Sequence, residues 1–497
     1  MAAPTDEQRR AVALAASGRD GAIVARAGAG KTFTLEAAAH ATAPTPATLL
    51  AFNRSIAREA RARVPRHVHA TTLHALAFRA VVAADARLRA KFERAVAGPG
   101  PAAYAALFDL DAGAAGTARH VAHLRAVLRT FAASADPTPT ARHVPPALAT
   151  RLARELGPER AEVRTTWLAR RAARAWDRIL DPEDPAPLDH DAYLKAFALR
   201  GGPVPGELLL IDEAQDLAPV MVALLEAQSA VRLWVGDPAQ RIYAFRGAID
   251  AMAASDAPQV HLTRSFRFGP AVAEVARRVL AVVTADPRLH GAGPDGAVLD
   301  ADDPVPTGAR TVLCRSGAGV LAAALRHADG GVHVVGGVEG VVAELRAAHA
   351  LWAARHARPR AGGPRVAGLA TWDDVVRAGE DGDAELRTLR RLVERYGTDT
   401  PAVARALANA HTRRERDAAT VVATIHRAKG REWDHVALGP DLPRVATSRA
   451  AVRRAADPEA ARGEANLAYV AVTRARRTLD VRDAREEVRA LLLGGGG

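Results

Sequence analysis

Apolar positions in this chain fall in short runs, set apart by longer stretches in which they recur at helical spacing. Residues 21–24 form the first run, a Gly-rich turn follows, and a helical pattern opens at Thr32 and reaches 42. Residues 48–52, 208–212 and 231–235 read as further strands, with a helix at 218–230 between the last two. Short buried strands alternating with helices predict a parallel α/β sheet. The alternation starts again near 259, with runs at 311–315, 333–335, 421–425 and 435–438. Two helical stretches interrupt the pattern. One covers 85–200 and closes in a Pro/Asp-rich loop at 181–191; the other covers 337–418. The Pro/Gly-rich segments 286–308 and 358–364 read as loops, and 491–497 as a flexible tail.

Size and charge refine this outline. A chain of 497 residues exceeds a single core, so two to four domains are expected. With 68 basic against 56 acidic residues the net charge is +12, which favours a polyanionic partner but fixes no sequence preference. A merely basic surface would give the same balance. Only Lys31, Lys91, Lys195 and Lys429 are lysines, and every other basic residue is arginine. That bias, with the abundance of alanine, reads as a GC-rich genome, and it makes each retained lysine informative. Cys314 is the single cysteine, so no disulfide and no Cys-based zinc site can form within the chain. The first residues are polar and charged, unlike a secretory signal, and no apolar run reaches membrane-spanning length. The expectation is a protein of the bacterial cytosol or nucleoid, with no membrane partner.

Candidate chemistry begins at Ala25-Arg-Ala27-Gly28-Ala29-Gly30-Lys31-Thr32. This resembles a phosphate-binding loop with Ala25 at its first glycine position. Glycines let such a loop turn tightly with N–H groups toward phosphate oxygens, and the following helix N-terminus favours anions. Lys31 is placed to reach the β- and γ-phosphates of ATP and Thr32 to ligate Mg²⁺; no other metal is expected. The apolar run at 208–211 ends in Asp212-Glu213, where parallel sheets bind ligands. Asp212 reads as the metal-side acid and Glu213 as the base for an attacking water. About 180 residues separate the two halves of this site, more than a compact nucleotide core requires, so 85–200 reads as an insertion.

Longer strings are more specific. Asp212-Glu-Ala-Gln-Asp216 precedes Gly236-Asp-Pro-Ala-Gln240-Arg-Ile-Tyr243-Ala-Phe245-Arg246-Gly247-Ala248. The second string resembles the third motif of UvrD/Rep-type superfamily 1 helicases. Others follow in that family's order: Thr5-Asp-Glu-Gln8, Ala51-Phe-Asn53-Arg54-Ser-Ile-Ala, Thr71-Thr72-Leu-His74-Ala, Leu262-Thr-Arg-Ser-Phe266-Arg267, Thr424-Ile-His426-Arg-Ala-Lys429-Gly430-Arg-Glu432-Trp433, and Asn466-Leu-Ala-Tyr469-Val-Ala-Val-Thr473-Arg474-Ala475. They run from residue 5 to about 476, and the branch resembles the compact UvrD-like helicases related to the F-box DNA helicase.

The resemblance implies two RecA-like parallel-sheet domains in tandem, a P-loop NTPase with a helical insertion in each and ATP in the cleft between them. The first domain would comprise 1–84 and 201–257, with 85–200 inserted; the second 258–336 and 419–490, with 337–418 inserted. It implies that Gln8 reads adenine and Phe266 stacks on it, that 27–32 holds phosphate, that Gln240 senses the γ-phosphate, that Glu432 meets the ribose, and that Arg267 and Arg474 act as arginine fingers. Along single-stranded DNA it places Asn53, Arg54, Thr72, His74, Tyr243, Phe245, Arg246 and His426. Tyr243 and Phe245 would be stacking residues. Either ring could instead be core, and His74 and His426 could be packed core histidines. Three departures stand out: Leu73 where the family often has an aromatic, Phe33 where relatives often have arginine, and a second insertion of only about 80 residues. The implied activity is an ATP-dependent helicase moving 3′→5′ on single strands and junctions, in repair or recombination and with proteins of those pathways as possible partners. The alternatives are a translocase that strips bound proteins and, against the intact ATP motifs, an inactive scaffold.

Overall fold

A computed structural model describes residues 3–96, 101–111, 117–244, 247–252, 256–304, 308–356, 366, 369, 371–380, 384–442 and 444–494. The chain divides into two compact units: Met1–Ala25 with Lys31–Leu262, and Arg26–Gly30 with Thr263–Gly497.

The first unit is built on six parallel strands: β1 (Gly21–Ala25), β2 (Ala47–Leu50), β3 (Val68–Thr71), β4 (Leu208–Ile211), β5 (Val231–Gly236) and β6 (Gln259–Leu262), in the order β3-β2-β4-β5-β1-β6. Every residue of β1, β2 and β4 is buried, which is why these strands read as unbroken apolar runs. Register sets the edge that matters. Val24 lies opposite Gly236, and Ile211 opposite both Leu50 and Trp234, so β1, β5 and β4 end side by side.

The helices between Ala86 and Leu199 do not build a core apart from the sheet. Leu124, Phe131, Leu168, Trp176 and Tyr193 belong to one apolar cluster with Leu209, Ile211 and Trp234. Two of the four lysines fasten this region. Lys195 is fully buried; its Nζ donates to the carbonyls of Ser134 and Asp136, both at 2.6 Å, and lies 4.4 Å from the Phe131 ring centre. Burial lowers its pKa to about 8. Lys91 Nζ donates to the carbonyls of Arg178 (2.9 Å) and Asp181 (2.7 Å). At both positions a compact ammonium, buried in the protein, reaches two carbonyl oxygens from one point.

In the second unit, β7 (Arg264–Ser265) pairs with β8 (His290–Gly291). The main sheet is again six parallel strands: β9 (Ala297–Leu299), β10 (Arg310–Cys314), β11 (Val332–Val334), β12 (Thr420–Thr424), β13 (Trp433–Leu438) and β14 (Ala475–Asp480), in the order β11-β12-β10-β13-β14-β9. Helices Glu339–Ala353, Trp372–Glu380, Ala384–Tyr396 and Thr400–Ala410 lie between β11 and β12 in sequence and share a core with Val312, Val334 and Val422. No helix among the described residues is long and apolar enough to cross a membrane.

The structure corrects several sequence expectations. Residues 258–262 belong to the first unit, because β6 pairs with β1. The run at 48–52 ends as a strand at Leu50, leaving Phe52 exposed. The stretch 286–308 contains β8 and β9. The helix Glu486–Leu493 runs through the first part of the expected tail and buries Leu492, while 495–497 lie outside the described residues. The loop expected at 358–364 also lies outside them.

Replacing Lys195 by Met removes the donor from two carbonyls, and each buried acceptor left without a partner costs roughly 1–3 kcal/mol. Lys195→Met is expected to lower stability by about 2 kcal/mol or more in urea unfolding, with no recovery in Lys195→Arg. An unchanged midpoint would show that other donors reach these carbonyls.

Candidate functional site

In the first unit the nucleotide candidates gather where β1, β5 and β4 end. The helix Lys31–Ala41 begins at Lys31, whose Nζ donates to Glu213 Oε1 at 2.6 Å. Burial alone would lower the Lys31 pKa, but the Glu213 and Asp212 carboxylates raise it above its ordinary value, so the ammonium stays charged. Glu213 follows β4 in the left-handed region, at φ 54° and ψ 42°. That conformation is strained for a residue with a Cβ, and Asp212 Oδ1 supports it by accepting from the Glu213 N–H at 2.9 Å.

The second oxygen of Glu213 accepts from Gln215 Nε2. Gln215 Oε1 in turn accepts from the Asp237 N–H (3.0 Å), and Asp237 Oδ2 accepts from Gln240 Nε2 (2.8 Å). A continuous hydrogen-bonded path thus runs from Lys31 to Gln240. Gln215 and Asp237 are fully buried. A side chain at Gly236 would strike Gln215 Oε1, so glycine is required there. Sequence reasoning placed Gln215 and Asp237 inside motif strings without giving either a role. The available signal was a polar side chain just past a strand end: Asp237 directly after β5, and Gln215 in the turn after β4. Thr32 is exposed in the first helical turn, and Asp212 is half-buried at the end of β4. Gln8 is buried, and its Oε1 accepts from the Thr5 N–H (3.0 Å) in a capping box that starts the helix Asp6–Ala15.

In the second unit, Arg267 Nε donates to Glu432 Oε2 (2.5 Å) and its Nη1 to the Thr473 carbonyl (3.0 Å). Arg474 is almost wholly buried. It donates to the carbonyls of Val470 (2.9 Å) and Arg431 (3.2 Å) and to Thr473 Oγ1 (3.1 Å). Arg267, Glu432 and Arg474 therefore converge around Thr473. Phe266 is 44% exposed, with the Arg264 guanidinium 5.7 Å from its ring centre. The loop stretch Arg26–Gly30 groups with this unit. Phe266 N–H donates to the Gly28 carbonyl (2.8 Å), and Ala27 N–H to Tyr469 Oη (3.1 Å). Ala29 N–H donates to the Arg26 carbonyl (3.0 Å), so the N–H groups of Ala27 and Ala29 both have partners within the protein. Gly28 and Gly30 have φ of +74° and +82°, the turn that glycine permits.

The nucleic-acid candidates divide. Asn53 caps the helix Arg54–Arg61 through Ile56 N–H, and Thr72 caps Leu73–Ala77 through Ala75 N–H. Both side chains thus have a local structural use. Arg54 is exposed. His74 lies edge-on to Tyr193, in an aromatic group with Phe78, Phe92 and His190. Burial, with smaller contributions from His190 and Arg54, lowers its pKa to about 4. Tyr243 is half-buried and stacks on Phe52, with centroids 6.1 Å apart and planes 14° from parallel. Phe52 is 46% exposed, and the sequence reading gave it no role. His426 is half-buried in the helix Ile425–Ala428. Phe245 and Arg246 lie outside the described residues.

A phosphate loop opening a helix and an acid pair ending a parallel strand define a P-loop NTPase, and the chain carries two RecA-like α/β domains in tandem. Residues 8–246 match the family described as AAA domain, and residues 375–485 the UvrD-like helicase C-terminal domain. "F-box DNA helicase 1" of Gallus gallus is 29% identical over 508 residues, 94% of this chain and 48% of that protein. "F-box DNA helicase protein 1" of Schizosaccharomyces pombe is 28% identical over 516 residues, 95% of this chain and 56% of that protein. The chain thus spans about half the length of the curated relatives it matches. A solved structure titled "The structure of PRRSV helicase" aligns with 59% of this chain and 38% of its own, at 15% identity and a TM-score of 0.26, which carries no argument about fold. Together these matches support a UvrD-like helicase.

The lowered pKa of His74 gives a direct check. Its folded value of about 4 lies below the ordinary 6.5, so the stability tied to its neutral ring is whole above pH 6.5 and lost as pH falls through about 4. The His74 ring resonances are expected to titrate near pH 4 in an NMR pH series. A midpoint near 6.5 would place the ring in water.

Proposed function

We propose that this protein is an ATP-dependent DNA helicase that moves 3′→5′ along single-stranded DNA and separates strands in repair or recombination. The observation that carries the proposal is the hydrogen-bonded path Lys31–Glu213–Gln215–Asp237–Gln240, which ends three residues before Tyr243. It gives the phosphate-side lysine and the candidate base a physical link to the turn that carries a candidate base-stacking ring.

On this reading Lys31 neutralises charge on the phosphates and Glu213 accepts a proton from the attacking water. Gln215 holds the second Glu213 oxygen, so the carboxylate keeps its place when Lys31 turns to phosphate. Thr32 and Asp212 would hold Mg²⁺. They are hard oxygen donors, and the described residues contain no group of three or more His, Cys, Asp or Glu side chains that could cage a metal. A magnesium ion that draws its remaining ligands from phosphate and water fits such a sparse set. Bound Mg·ATP supplies the phosphoryl group and its charge. Arg267 and Arg474 would stabilise the charge developing on that group, with Glu432 on the ribose and Phe266 and Gln8 on adenine. Tyr243 and Phe52 would stack on bases, with Arg54 and His426 along the strand.

The small helical stretch between β11 and β12 favours a second reading. A motor with little duplex-directed structure could translocate and strip bound proteins while opening little duplex. Strand displacement measured beside ATPase activity separates the two. Unwinding is expected on 3′-tailed and not on 5′-tailed duplexes, and preference for the 5′ tail would overturn the polarity. Lys31→Ala is expected to abolish both activities; wild-type turnover in that variant would end the reading. Tyr243→Ala should weaken stimulation of the ATPase by single strands by roughly five- to tenfold, since base stacking on an aromatic contributes ~1–3 kcal/mol. Unchanged stimulation would assign the ring to packing.

A further inference from the structure

Glu415 lies in the turn Glu415–Asp417, at the end of the helical stretch and just before β12. Its carboxylate joins two residues of another segment: Oε1 accepts from the Trp433 indole Nε1 (2.6 Å), and Oε2 from Arg431 Nη1 (2.7 Å). These flank Glu432, which holds Arg267. The same segment holds Arg474 through its backbone. The Arg431 carbonyl accepts from Arg474 Nη1 (3.2 Å), and Trp433 N–H donates to the Arg474 carbonyl (3.0 Å).

Beyond these bonds the segment is held by the Arg431 N–H on the Ala428 carbonyl (3.0 Å), by a longer Arg476–Glu432 ion pair (3.8 Å) and by the first pairing of β13 with β14. It leaves the helix Ile425–Ala428 through Gly430 at φ +82°, with no other atom within 4 Å of where a Cβ would stand. The β13–β14 register slips between Trp433 and His435, so the ladder is irregular where the segment joins it. Arg431 is 48% exposed, and its ion pair with Glu415 is screened by water and contributes little. The indole bond is different in kind. An indole has one N–H with one direction, and a carboxylate acceptor makes that bond short and strong.

We propose that Glu415 is a positioning residue for ATP hydrolysis, holding segment 431–433 so that Glu432 and Arg474 keep their geometry toward the nucleotide. The inference rests on the reading of Glu432 and Arg474 given above. Glu415 also ties the last turn of the helical stretch to the hydrolytic residues, so displacement of that turn reaches them through one carboxylate.

The test uses the full chain, with DNA-stimulated ATPase rates measured across ATP concentrations. Glu415→Ala is expected to lower kcat roughly tenfold with KM for ATP changed by less than about threefold, the signature of groups displaced from the reacting phosphate. Trp433→Phe keeps the ring and loses the N–H; it should give a loss of the same kind, and it carries the test alone if Glu415→Ala fails to fold. Glu415→Gln retains an acceptor for the indole and should recover most of kcat. In an Arg474→Ala background, Glu415→Ala should cost clearly less than its roughly tenfold in the wild-type chain, whereas a merely structural role would add its full loss. Wild-type kcat in both Glu415→Ala and Trp433→Phe overturns the inference while leaving the site reading intact. Wild-type kcat in Arg474→Ala overturns the site reading and the inference with it.

Discussion

The first unit turns on one interaction, the Lys31–Glu213 ion pair at the C-terminal edge of its sheet. Both side chains are more than three-quarters buried, and water is largely withdrawn from two full charges. Desolvation of that kind can exceed the Coulombic gain unless further hydrogen bonds take up what remains. The structure supplies them in order: Gln215 on the second Glu213 oxygen, Asp237 on Gln215, and Gln240 on Asp237. None of these contacts could form if β1, β5 and β4 were not neighbours ending at one level, and that is a consequence of parallel pairing in this register. The strained backbone at Glu213 belongs to the same arrangement. The left-handed turn brings its carboxylate back over the strand end toward Lys31.

Where a strand is buried on both faces, its residues announce it, and β1, β2 and β4 were legible for that reason. β14, with the sequence Ala-Arg-Arg-Thr-Leu-Asp, is a strand because β13 and β9 lie on either side of it, and nothing in its own pattern says so. β6 was read as the opening of the second unit because strand order in space is not order in sequence. Phe52 shows the opposite error. It continued an apolar run, but the strand stopped two residues earlier, and the ring faces outward beside Tyr243.

The candidate site was legible as a set of positions and illegible as a set of contacts. Motif strings named Lys31, Asp212, Glu213, Gln240, Arg267, Glu432 and Arg474, yet no spacing could show that Arg474 is buried among carbonyl oxygens or that Gln8 completes a helix cap. Asn53 and Thr72 illustrate the difficulty most clearly. Short polar side chains ahead of a helix serve as caps whatever else they do, so their chemistry alone cannot separate a DNA contact from a helix start.

The four lysines join these themes. In a chain whose other basic residues are all arginine, two lysines stand in the family motifs and two are sealed inside the first unit against pairs of carbonyls. A guanidinium spreads its donors over a plane, and Arg474 uses three of its nitrogens on three acceptors; an ammonium is a point charge that can be exchanged between point acceptors. That difference bears on the proposed mechanism at Lys31. Burial alone would lower its pKa; the Glu213 and Asp212 carboxylates raise it, so the ammonium keeps its charge beside an anion, and phosphate is one. On the function proposed, the ammonium can pass from carboxylate to phosphate without gaining or losing a proton. Glu213, still held by Gln215, is then left as an unneutralised carboxylate at the moment a base is wanted. The resting ion pair and the working base are thus two partnerships of one side chain, and the buried amide of Gln215 lets it change from the first to the second without moving.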